Sequence, residues 1–551
     1  MRLIGILLFS FNILFGQNAS ITIKITEPYI NLPVAQDQER GKMTIRDNNG
    51  FQREFVIRLS DDIVDYWVYT DVSDYIGQTL TLDFTEARNG LKNIYNSADI
   101  ADAEDLYRER LRPQAHFSTR RGWINDPNGL VYYDGEYHLF YQHNPYEIHW
   151  ENMHWGHAVS KDLLHWEELG EALYPDDLGT MFSGTIAVDE NNSSGFQTGN
   201  EKTLIAAYTA HQSHKQVQCI AYSNDRGRTW TKYEGNPVID SQDRWQSKNL
   251  RDPKIFYHHP SEKWVMVLFE KDGFSIYQSK DLKDWDYKSH VEGFWECPEL
   301  FELPVDGDLN HKKWVMYGAS GTYMVGDFDG EKFTMTSGKH QYYSGKQFAS
   351  QTFNNIPKED GRRIQIGWGK INSENMAFNQ MMLFPTQLTL RNTVNGIRLF
   401  NQPIREIENL HIDNYSWKNP SVDDLNTELS KIEGDAFHIV MKVEIIEGNR
   451  FILELDGQII ANYSMNYNTL NDVFFEDDQI QSRTMDLEII VDRTSVELFA
   501  QNGKFTKIDA RKSPVNGKKG FYFNPHGSKL KIHEFEIAQL TSIWNSYTND
   551  K

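Results

Sequence analysis

Three acidic residues of this 551-residue chain stand next to, or one residue away from, a proline at the start of a strand-forming run. Asp126 and Asp252 are each followed directly by proline, and Glu296 is followed by Cys297 and then proline. After each acid come an apolar, aromatic run, a polar turn and a second such run, which is the pattern of a β-hairpin. If these hairpins are equivalent parts of a repeat, their carboxyl groups converge at one end of a shared axis. Converging carboxyl groups are what glycoside hydrolysis requires.

A second repeat supports the first. The pattern Ser-x-Asp, turn, Trp begins at Ser160, Ser223 and Ser279, and each copy follows a strand-like run. Strand–turn–strand units that recur about every 40–60 residues are typical of propeller blades with about four strands each. Surface hairpins also use Ser-x-Asp turns, but turn preference alone does not repeat the order of elements. The sequence therefore predicts a β-propeller.

The amino-acid composition indicates which classes of ligand the protein can bind. The chain has 14 Trp and 27 Tyr, which suit strands and stacking on sugar faces. Its 56 Lys and Arg against 78 Asp and Glu give a net charge of −22, which argues against nucleic acid and anionic membranes as partners. The sequence contains no cluster with zinc spacing, EF-hand or phosphate-binding loop, so we expect no metal and no cofactor. A neutral, hydroxyl-rich ligand fits best.

The first 20 residues indicate the compartment. Met1 and Arg2 precede a short apolar run and then a polar stretch, which is typical of a secretory signal peptide. A buried strand or helix of the first domain is the alternative. No cysteine stands near this run to accept a lipid, and no later segment approaches the length of a membrane helix. We expect a periplasmic or secreted protein, with Cys219 and Cys297 as buried free thiols.

The length calls for more than one domain. Alternating runs predict a small β domain at 21–108, and strand repeats place the propeller at 109–408. A charged stretch, ADAEDLYRERLRP, is expected to be a helical linker between them. A second alternating series predicts an all-β sandwich at 415–540. The predicted fold class is therefore all-β.

Six sequence motifs are similar to those of a known family. They are, in chain order, WINDPNG, YQHNP, HWGHAVS, FSGT, RDP and ECPEL. Together they resemble glycoside hydrolase family 32, the β-fructosidases. The later segment VDRTSVELFAQNG resembles the signature of the family's β-sandwich module. The resemblance spans about residues 113–540 and implies a five-bladed propeller followed by that sandwich. The part before it resembles an extension found ahead of some fructan-degrading enzymes of bacteria.

The resemblance implies roles for individual residues. Asp126 corresponds to the nucleophile, Glu296 to the acid/base, and Asp252 to the stabiliser of the transition state, kept ionised by its neighbour Arg251. Further residues correspond to the pocket for a terminal fructose unit: Asn125, Gln142, Trp150, Phe182, Ser183, Arg251 and Trp368. For Trp150 and Phe182, packing in the core is the alternative. We expect the nearby histidines His143, His154 and His157 to be structural.

The implied activity is that of a retaining glycosidase that releases terminal fructose from fructans or sucrose-type fructosides. A fructosyltransferase with the same covalent intermediate and a non-catalytic fructan-binding protein remain alternatives. One loop departs from the family, because Ser344 and Gln347 stand where an acidic residue is expected. The sequence leaves the preferred fructan, the chain length and the oligomeric state open.

Overall fold

The computed structural model describes residues 19–85, 89–474, 483–512 and 519–544, and strands dominate them. Residues 1–18 of the predicted signal peptide lie outside the described part of the chain. Its last two residues, Ala19 and Ser20, begin a strand. The chain divides into two compact units: Met1–Leu106 with Pro145–Asn152, and Tyr107–Asn144 with Met153–Lys551. Among the described helices, none is long and apolar enough to cross a membrane.

The first unit is a small β domain, as predicted. One sheet has the order β1-β6-β3-β4 and the other β5-β2-β7. Burial alternates along strands such as β3, because successive side chains point to opposite faces. The strands are β1 (Ala19–Lys24), β2 (Tyr29–Val34), β3 (Gly41–Arg46), β4 (Gln52–Ile57), β5 (Tyr66–Asp71), β6 (Thr79–Phe84) and β7 (Tyr95–Ser97). Short 3₁₀ turns lie at Ser73–Tyr75 and Asn89–Asn93.

The predicted helical linker is wrong. The charged stretch forms only a 3₁₀ turn at Ala103–Asp105, flanked by left-handed backbone at Asp102 and Tyr107. Its Arg112 is fully buried, where the guanidinium donates to Ser118 Oγ at 2.8 Å and lies over the ring of Phe378. Tertiary contacts of this arginine therefore override the helical propensity of the segment.

Residues 122–403, all of which are described, form five antiparallel blades, which confirms the predicted propeller. The first three blades contain β8 (Gly122–Tyr133), β9 (Glu136–Asn144), β10 (His154–Ser160), β11 (Trp166–Leu173), β12 (Thr180–Asp189), β13 (Thr203–Gln212), β14 (Lys215–Ser223), β15 (Thr231–Lys232), β16 (Leu250–His258), β17 (Lys263–Glu270), β18 (Gly273–Ser279) and β19 (Asp286–Glu292). A short helix, α1 (Gln242–Trp245), and a 3₁₀ turn (His259–Ser261) occur among them.

The last two blades differ slightly from the first three. The strands of this part of the chain are β20 (Glu299–Val305), β21 (Asp308–Tyr317), β22 (Thr322–Phe328), β23 (Phe333–Gln341), β24 (Tyr343–Gly345), β25 (Gln347–Thr352), β26 (Arg363–Gly369), β27 (Phe378–Asn379), β28 (Met381–Met382), β29 (Thr386–Thr393) and β30 (Gly396–Pro403). Of these, β24 pairs with the C-terminal region and belongs to neither blade. Blade five has the order β25-β26-β29-β30, and β27 pairs with β8 of the first blade. This pairing closes the ring.

The Ser-x-Asp…Trp repeat forms the same turn in three blades. The indole nitrogens of Trp166, Trp230 and Trp285 donate to the carbonyl oxygen three residues earlier, at 3.1, 3.0 and 2.9 Å. In each turn the serine hydroxyl bonds the aspartate two residues later. The sequence repeat is therefore a structural repeat.

The C-terminal region is a β-sandwich, as predicted. One sheet has the order β24-β39-β38-β37-β32-β41-β31, and the other β36-β35-β34-β33-β40. Its elements are β31 (His411–Lys418), α2 (Val422–Leu429), β32 (Phe437–Glu447), β33 (Arg450–Leu455), β34 (Gln458–Ser464), β35 (Thr469–Leu470), β36 (Val473–Phe474), β37 (Thr484–Val491), β38 (Ser495–Ala500), β39 (Phe505–Ala510), β40 (Phe521–Asn524) and β41 (Lys529–Leu540). A 3₁₀ segment, Arg405–Leu410, precedes it.

A buried histidine links the sandwich to the propeller through two hydrogen bonds. His116 lies between Asp492 and Glu497, with its Nδ1 2.7 Å from Asp492 Oδ2 and its Nε2 2.7 Å from Glu497 Oε1. Asp492 also accepts the backbone N–H groups of Gln114 and Ala115 at 2.8 Å. Burial opposes protonation of His116, but bonds to and charges of both acids outweigh it and raise its pKa to about 9. The VDRTSVELF segment therefore supplies an interdomain ion cluster.

This cluster predicts a dependence of stability on alkaline pH. Because the folded pKa of His116 lies above its unfolded value, its contribution is complete below about pH 6.5 and is lost as pH rises through about 9. The full contribution is on the order of 3 kcal/mol. We expect Tm to fall more steeply between pH 6.5 and 10 in the wild-type chain than in a His116→Asn variant, measured by calorimetry.

The matched control is His533→Gln, which removes a partly exposed histidine paired with Glu444. That variant should keep the steep alkaline decline. Parallel Tm curves for the wild type and His116→Asn would contradict the assigned role of His116.

Candidate active site

The inner strands of three blades are irregular at the predicted site residues. The pairing of β8 with β9 shifts register between Ile124 and Pro127, and that of β16 with β17 shifts between Arg251 and Lys254. Asn125 and Asp126 fall within the first bulge, and Asp252 falls within the second. A β-bulge re-aims the side chains of its strand. The acid–proline pairs therefore mark places where inner strands turn side chains toward the axis.

A third bulge presents the FSGT motif. The pairing of β12 with β13 shifts between Met181 and Gly184, so Phe182 and Ser183 fall inside it. The hydroxyl of Ser183 donates to Oδ2 of Asp126 at 2.6 Å. The side chain of Phe182 stacks on His211, with ring centroids 4.3 Å apart. The second blade thus contributes a hydrogen-bond donor to the first predicted acid.

The acid of the fourth blade is presented differently. Glu296 precedes β20, in a turn where Glu296 and Cys297 both have left-handed backbone, with φ of 49° and 42°. Asp252 also has a positive φ, 66°. Such conformations cost of order 1–3 kcal/mol each and persist where the surroundings enforce them. Two of the three predicted acids therefore sit on strained backbone.

Cys297 joins the acids. Its Sγ lies 3.6 Å from Oδ2 of Asp126 and 3.6 Å from Oδ2 of Asp252, and its backbone N–H donates to Asp252 Oδ2 at 3.1 Å. Burial first, and then the charges of Asp252, Asp126 and Glu296, raise the pKa of the Cys297 thiol. The sulfur therefore stays protonated and offers its S–H to the carboxylates.

Arg251 has a different main partner from the one expected. Its Nη2 donates to Oε1 of Glu296 at 2.5 Å, whereas its Nε lies 3.9 Å from Oδ2 of Asp252. The side chain of Asn249 accepts a second hydrogen bond from the Arg251 guanidinium at 2.9 Å. The guanidinium itself lies over the rings of Phe269 and Trp295. Arg251 therefore forms its direct ion pair with Glu296.

The pKa values of Asp126 and Asp252 are both raised, whereas Arg251 was expected to keep Asp252 ionised. Burial raises the pKa of Asp252 to about 7, since the opposing effect of Arg251 is outweighed and Glu296 and Asp126 add repulsion. Burial likewise raises the pKa of Asp126, against the bonds from Ser183 and Asn125. Arg251 lowers the pKa of Asp252, as expected, but burial and the two neighbouring acids outweigh its effect in the free protein. Because these groups are coupled, the site as a whole retains a proton near neutral pH.

Two predicted amide residues lie beside the first bulge. Asn125 is buried, and its Oδ1 accepts the indole N–H of Trp123 at 3.0 Å. Gln142 is also buried, on β9 opposite Trp155. Its Nε2 has no hydrogen-bond partner within the described part of the chain. A buried donor without a partner is costly, which suits Gln142 to a ligand hydroxyl.

The two remaining predicted residues have different surroundings. Trp368 lies on β26, where its ring contacts Trp123 and Phe348 edge-on, each with centroids 6.1 Å apart. Its indole N–H donates to Gln380 at 3.2 Å. Trp150 belongs to the segment Pro145–Asn152 of the first unit, and it is 49% exposed, which excludes a core-packing role. Its place in a fructose pocket stays a prediction.

Three side chains of this region have no site role predicted from the sequence. These are Trp123, which holds Asn125, Cys297, which contacts two acids, and Trp295, which is 47% exposed beside Glu296. Trp123 and Cys297 stand within quoted motifs and Trp295 directly precedes one, each next to or two residues from an assigned residue. Their position in WINDPNG, or in and directly before ECPEL, was the signal that could have identified them.

Below the acids, polar side chains fill the propeller axis. Lys254 Nζ lies 2.9 Å from Glu299 Oε1 and donates to the carbonyl oxygen of Thr352 at 3.0 Å. Asn354 donates to backbone carbonyls of the second and third blades, at Ile186 and Ile255. All of these groups are buried or nearly so. The axis is therefore closed beneath the site.

In the described residues, no group of three or more His, Cys, Asp and Glu side chains is arranged to hold a metal ion. What the site offers is three carboxyl groups, one guanidinium, a thiol, a serine hydroxyl and a free amide donor. This set can attack or stabilise an electron-poor carbon and transfer a proton.

Comparisons with known proteins agree with this chemistry. Residues 116–403 match the glycosyl hydrolases family 32 N-terminal domain, and residues 16–113 match a domain of unknown function (DUF4980). A levanase of Bacillus subtilis is 39% identical, over 82% of this chain and 73% of its own length. The extracellular exo-inulinase inuE of Aspergillus niger is 32% identical, over 81% of this chain and 98% of its own.

A solved structure is similar throughout its length. The exo-inulinase of Aspergillus awamori superimposes with a TM-score of 0.69 at 28% identity, covering 80% of this chain and 100% of its own. The family match over half of the chain and the two sequence relatives agree with the motifs and with the fold. The chain therefore belongs to glycosyl hydrolase family 32.

Proposed function

We propose that this protein is a retaining, exo-acting β-fructosidase that removes terminal non-reducing fructose units from fructans and related fructosides. The observation that carries the proposal is the gathering of Asp126, Asp252 and Glu296 around Cys297 and Arg251 at one end of the propeller axis. The names of the relatives, levanase and exo-inulinase, support the substrate class. The word extracellular in the second name supports secretion.

In the first step, a carboxylate oxygen of Asp126 bonds to the anomeric carbon of the fructose unit. Glu296 donates its proton to the glycosidic oxygen as that bond breaks, and the shortened fructan leaves as an alcohol. In the second step, Glu296 takes a proton from water, whose oxygen displaces Asp126 and releases fructose. Ser183 holds Asp126 through a bond of 2.6 Å, so the attacking oxygen is oriented in advance.

The proton retained by the site serves the first step. In the free protein the raised pKa of Asp252, about 7, keeps a proton among the carboxyl groups near neutrality. Fructose hydroxyls that donate to Asp252 favour its ionised form and so make that proton available to Glu296. Arg251, which pairs with Glu296 in the free protein, then stabilises the ionised Glu296 after the transfer.

Exo action follows from the closed axis. The side chains of Lys254, Glu299 and Thr352 block passage below the acids. A polymer therefore has no path through the ring, and we infer that it enters by its end. The buried donor of Gln142 and the amide of Asn125 are available to bind hydroxyls of that terminal unit.

The rest of the polymer leaves beside the loop that departs from the family. In this loop, β24 pairs in parallel with β39 of the sandwich, and Ser344 Oγ donates to the carbonyl of Thr506. Gln347 is buried and donates to Ser350. A cavity of about 670 Å³ lies there, lined by residues of both domains such as Tyr343, Ser344 and Lys507. This cavity is where we place the next sugar units.

The catalytic roles are tested by two isosteric substitutions. Asp126→Asn removes the nucleophile and Glu296→Gln removes the proton donor, and each should lower kcat on the order of 10³-fold or more. Asp134→Asn is the matched control, since Asp134 is an exposed turn residue paired with Arg226. Its kcat should equal that of the wild type. Retention of a tenth of the activity by Glu296→Gln would assign the proton to another group.

The coupled carboxyl groups predict the pH profile. Because a proton with an apparent pKa of about 7 is required, kcat/KM should fall as pH rises through about 7. The bond from Cys297 lowers the pKa of Asp126, so Cys297→Ala should move the acidic limb of the profile to higher pH. Cys297→Ser keeps a donor and should leave that limb near its wild-type position. Superimposable profiles for Cys297→Ala and the wild type would exclude this role of the thiol.

Product analysis on levan, inulin and sucrose tests the mode of action. Free fructose should be the first product from each substrate that is cleaved, because only the terminal unit reaches the acids. Chromatography of early time points separates the outcomes. A ladder of oligosaccharides without fructose would refute the closed pocket, and longer oligosaccharides formed from sucrose would show transfer to sugar.

A further inference from the structure

The third blade contains a buried carboxylate, Glu270, that is separate from the three predicted acids. Glu270 is the last residue of β17, and it is 0% exposed. In the part of the chain that the structure describes, no Lys, Arg or His side chain pairs with it, and its oxygens accept hydrogen bonds from uncharged donors instead. A buried charge is costly unless donors replace its lost solvation, so the groups that donate to Glu270 are held in place by it.

Three side chains donate to this carboxylate. The indole N–H of Trp245 donates to Oε2 at 2.6 Å, and the hydroxyl of Tyr277 lies 2.9 Å from both oxygens. The hydroxyl of Ser241 donates to Oε1. Ser241 directly precedes α1 and Trp245 is its last residue, and the Ser241 carbonyl accepts the Trp245 N–H at 3.2 Å. Glu270 therefore fixes both ends of this single helical turn.

The turn belongs to the connection that leads into β16 and ends at Asn249. The backbone carbonyl of Asn249 accepts the N–H of Lys271, the residue after Glu270, at 2.8 Å. The side chain of Asn249 accepts a hydrogen bond from the guanidinium of Arg251 at 2.9 Å. The connection is therefore attached at two points to the end of β17, and the second point contacts Arg251 directly.

The residue before Glu270 contacts the same guanidinium. Phe269 pairs with Arg251 in the ladder of β16 and β17, and its ring centroid lies 5.0 Å from Cζ of Arg251. Arg251 in turn donates from Nη2 to Oε1 of Glu296 at 2.5 Å. The position of Arg251 against Glu296 therefore depends on residues that surround Glu270.

We propose that Glu270 is a positioning residue for the acid/base Glu296. It holds the connection whose last residue, Asn249, orients the guanidinium of Arg251. The inference rests on the proposed function, since it assumes that Glu296 transfers the proton. Glu270 makes none of its hydrogen bonds to the three acids, so it acts only through these intermediate side chains.

Loss of this anchor changes the balance of charge at Glu296. The titratable groups that interact with Glu296 in the described residues are Arg251, Asp126, Asp252 and Cys297. Only the arginine among them favours the ionised form of Glu296. A guanidinium that is held less firmly stabilises this form less, so the proton is bound more tightly and its transfer to the leaving oxygen is slower.

The first test removes the acceptor while keeping an unbranched side chain of similar length. Glu270→Met should lower kcat on a fructo-oligosaccharide roughly tenfold, with KM changed less than about twofold, and should move the alkaline limb of kcat/KM upward by about half a pH unit. Glu270→Gln keeps an acceptor for the Trp245 N–H and should restore most of kcat and the position of the limb. Trp245→Phe removes one donor from the opposite side and should move the limb in the same direction as Glu270→Met.

A double-mutant cycle tests whether the effect passes through Arg251. In an Arg251→Gln background, Glu270→Met should change kcat less than about twofold, because the side chain through which it acts is gone. Multiplicative effects of the two substitutions would overturn the inference, as would an alkaline limb that stays in place in both Glu270→Met and Trp245→Phe. If Glu270→Met does not fold, the cycle of Trp245→Phe with Arg251→Gln decides alone.

The matched control is Asp189→Leu, which removes another buried carboxylate that anchors a turn. Asp189 is the last residue of β12, and it accepts the hydroxyl of Ser193 and the backbone N–H of Ser194, each at 2.8 Å. This variant should lower Tm without moving the alkaline limb, and an equal movement of the limb would count against the role of Glu270. A wild-type protein that releases no fructose would instead refute the proposed function.

Discussion

The structure of the site depends on one electrostatic constraint: Asp126 and Asp252 lie where burial and neighbouring charge oppose their ionisation. Taking an ion out of water costs several kcal/mol unless partners replace the lost solvation. Here Ser183, Arg251 and the backbone N–H of Cys297 supply such partners. These partners do not fully replace the lost solvation, so the pKa of Asp252 is raised and the site keeps a bound proton. A glycosidase needs that proton, so incomplete compensation is a functional property of the site.

The propeller makes such crowding possible. Each blade brings its inner strand to the axis, and polar side chains tie these strands together below the site. The buried pair of Lys254 and Glu299 is one example, since it joins the third blade to the fourth. The cluster of His116, Asp492 and Glu497 anchors the sandwich in a similar way. Rigid support of this kind keeps the carboxyl groups close despite their mutual repulsion.

Much of this could be predicted from the sequence, because it depends on local chemistry. The Ser-x-Asp…Trp repeat specifies a turn within a few residues, and it therefore revealed the blades. The acid–proline motifs likewise marked strand irregularities, since proline removes a ladder hydrogen bond. Non-local features were missed. The helix expected around Ala103–Asp105 is absent because Arg112 finds distant partners, and the pairing of Arg251 with Glu296 joins residues 45 apart in sequence.

Departures from the repeat match the different roles proposed for the acids. Asp126 and Asp252 lie in bulges within strands, held on both sides by ladder bonds, as suits a nucleophile and a stabiliser that must not move. Glu296 lies outside its strand, in a turn of left-handed backbone. A group that exchanges protons with a leaving oxygen and then with water must change partners during the cycle, and a turn permits this more readily than a strand. The repeat therefore places two of the acids in bulges of inner strands, and the third in the turn before its strand, where no strand pairing holds its backbone.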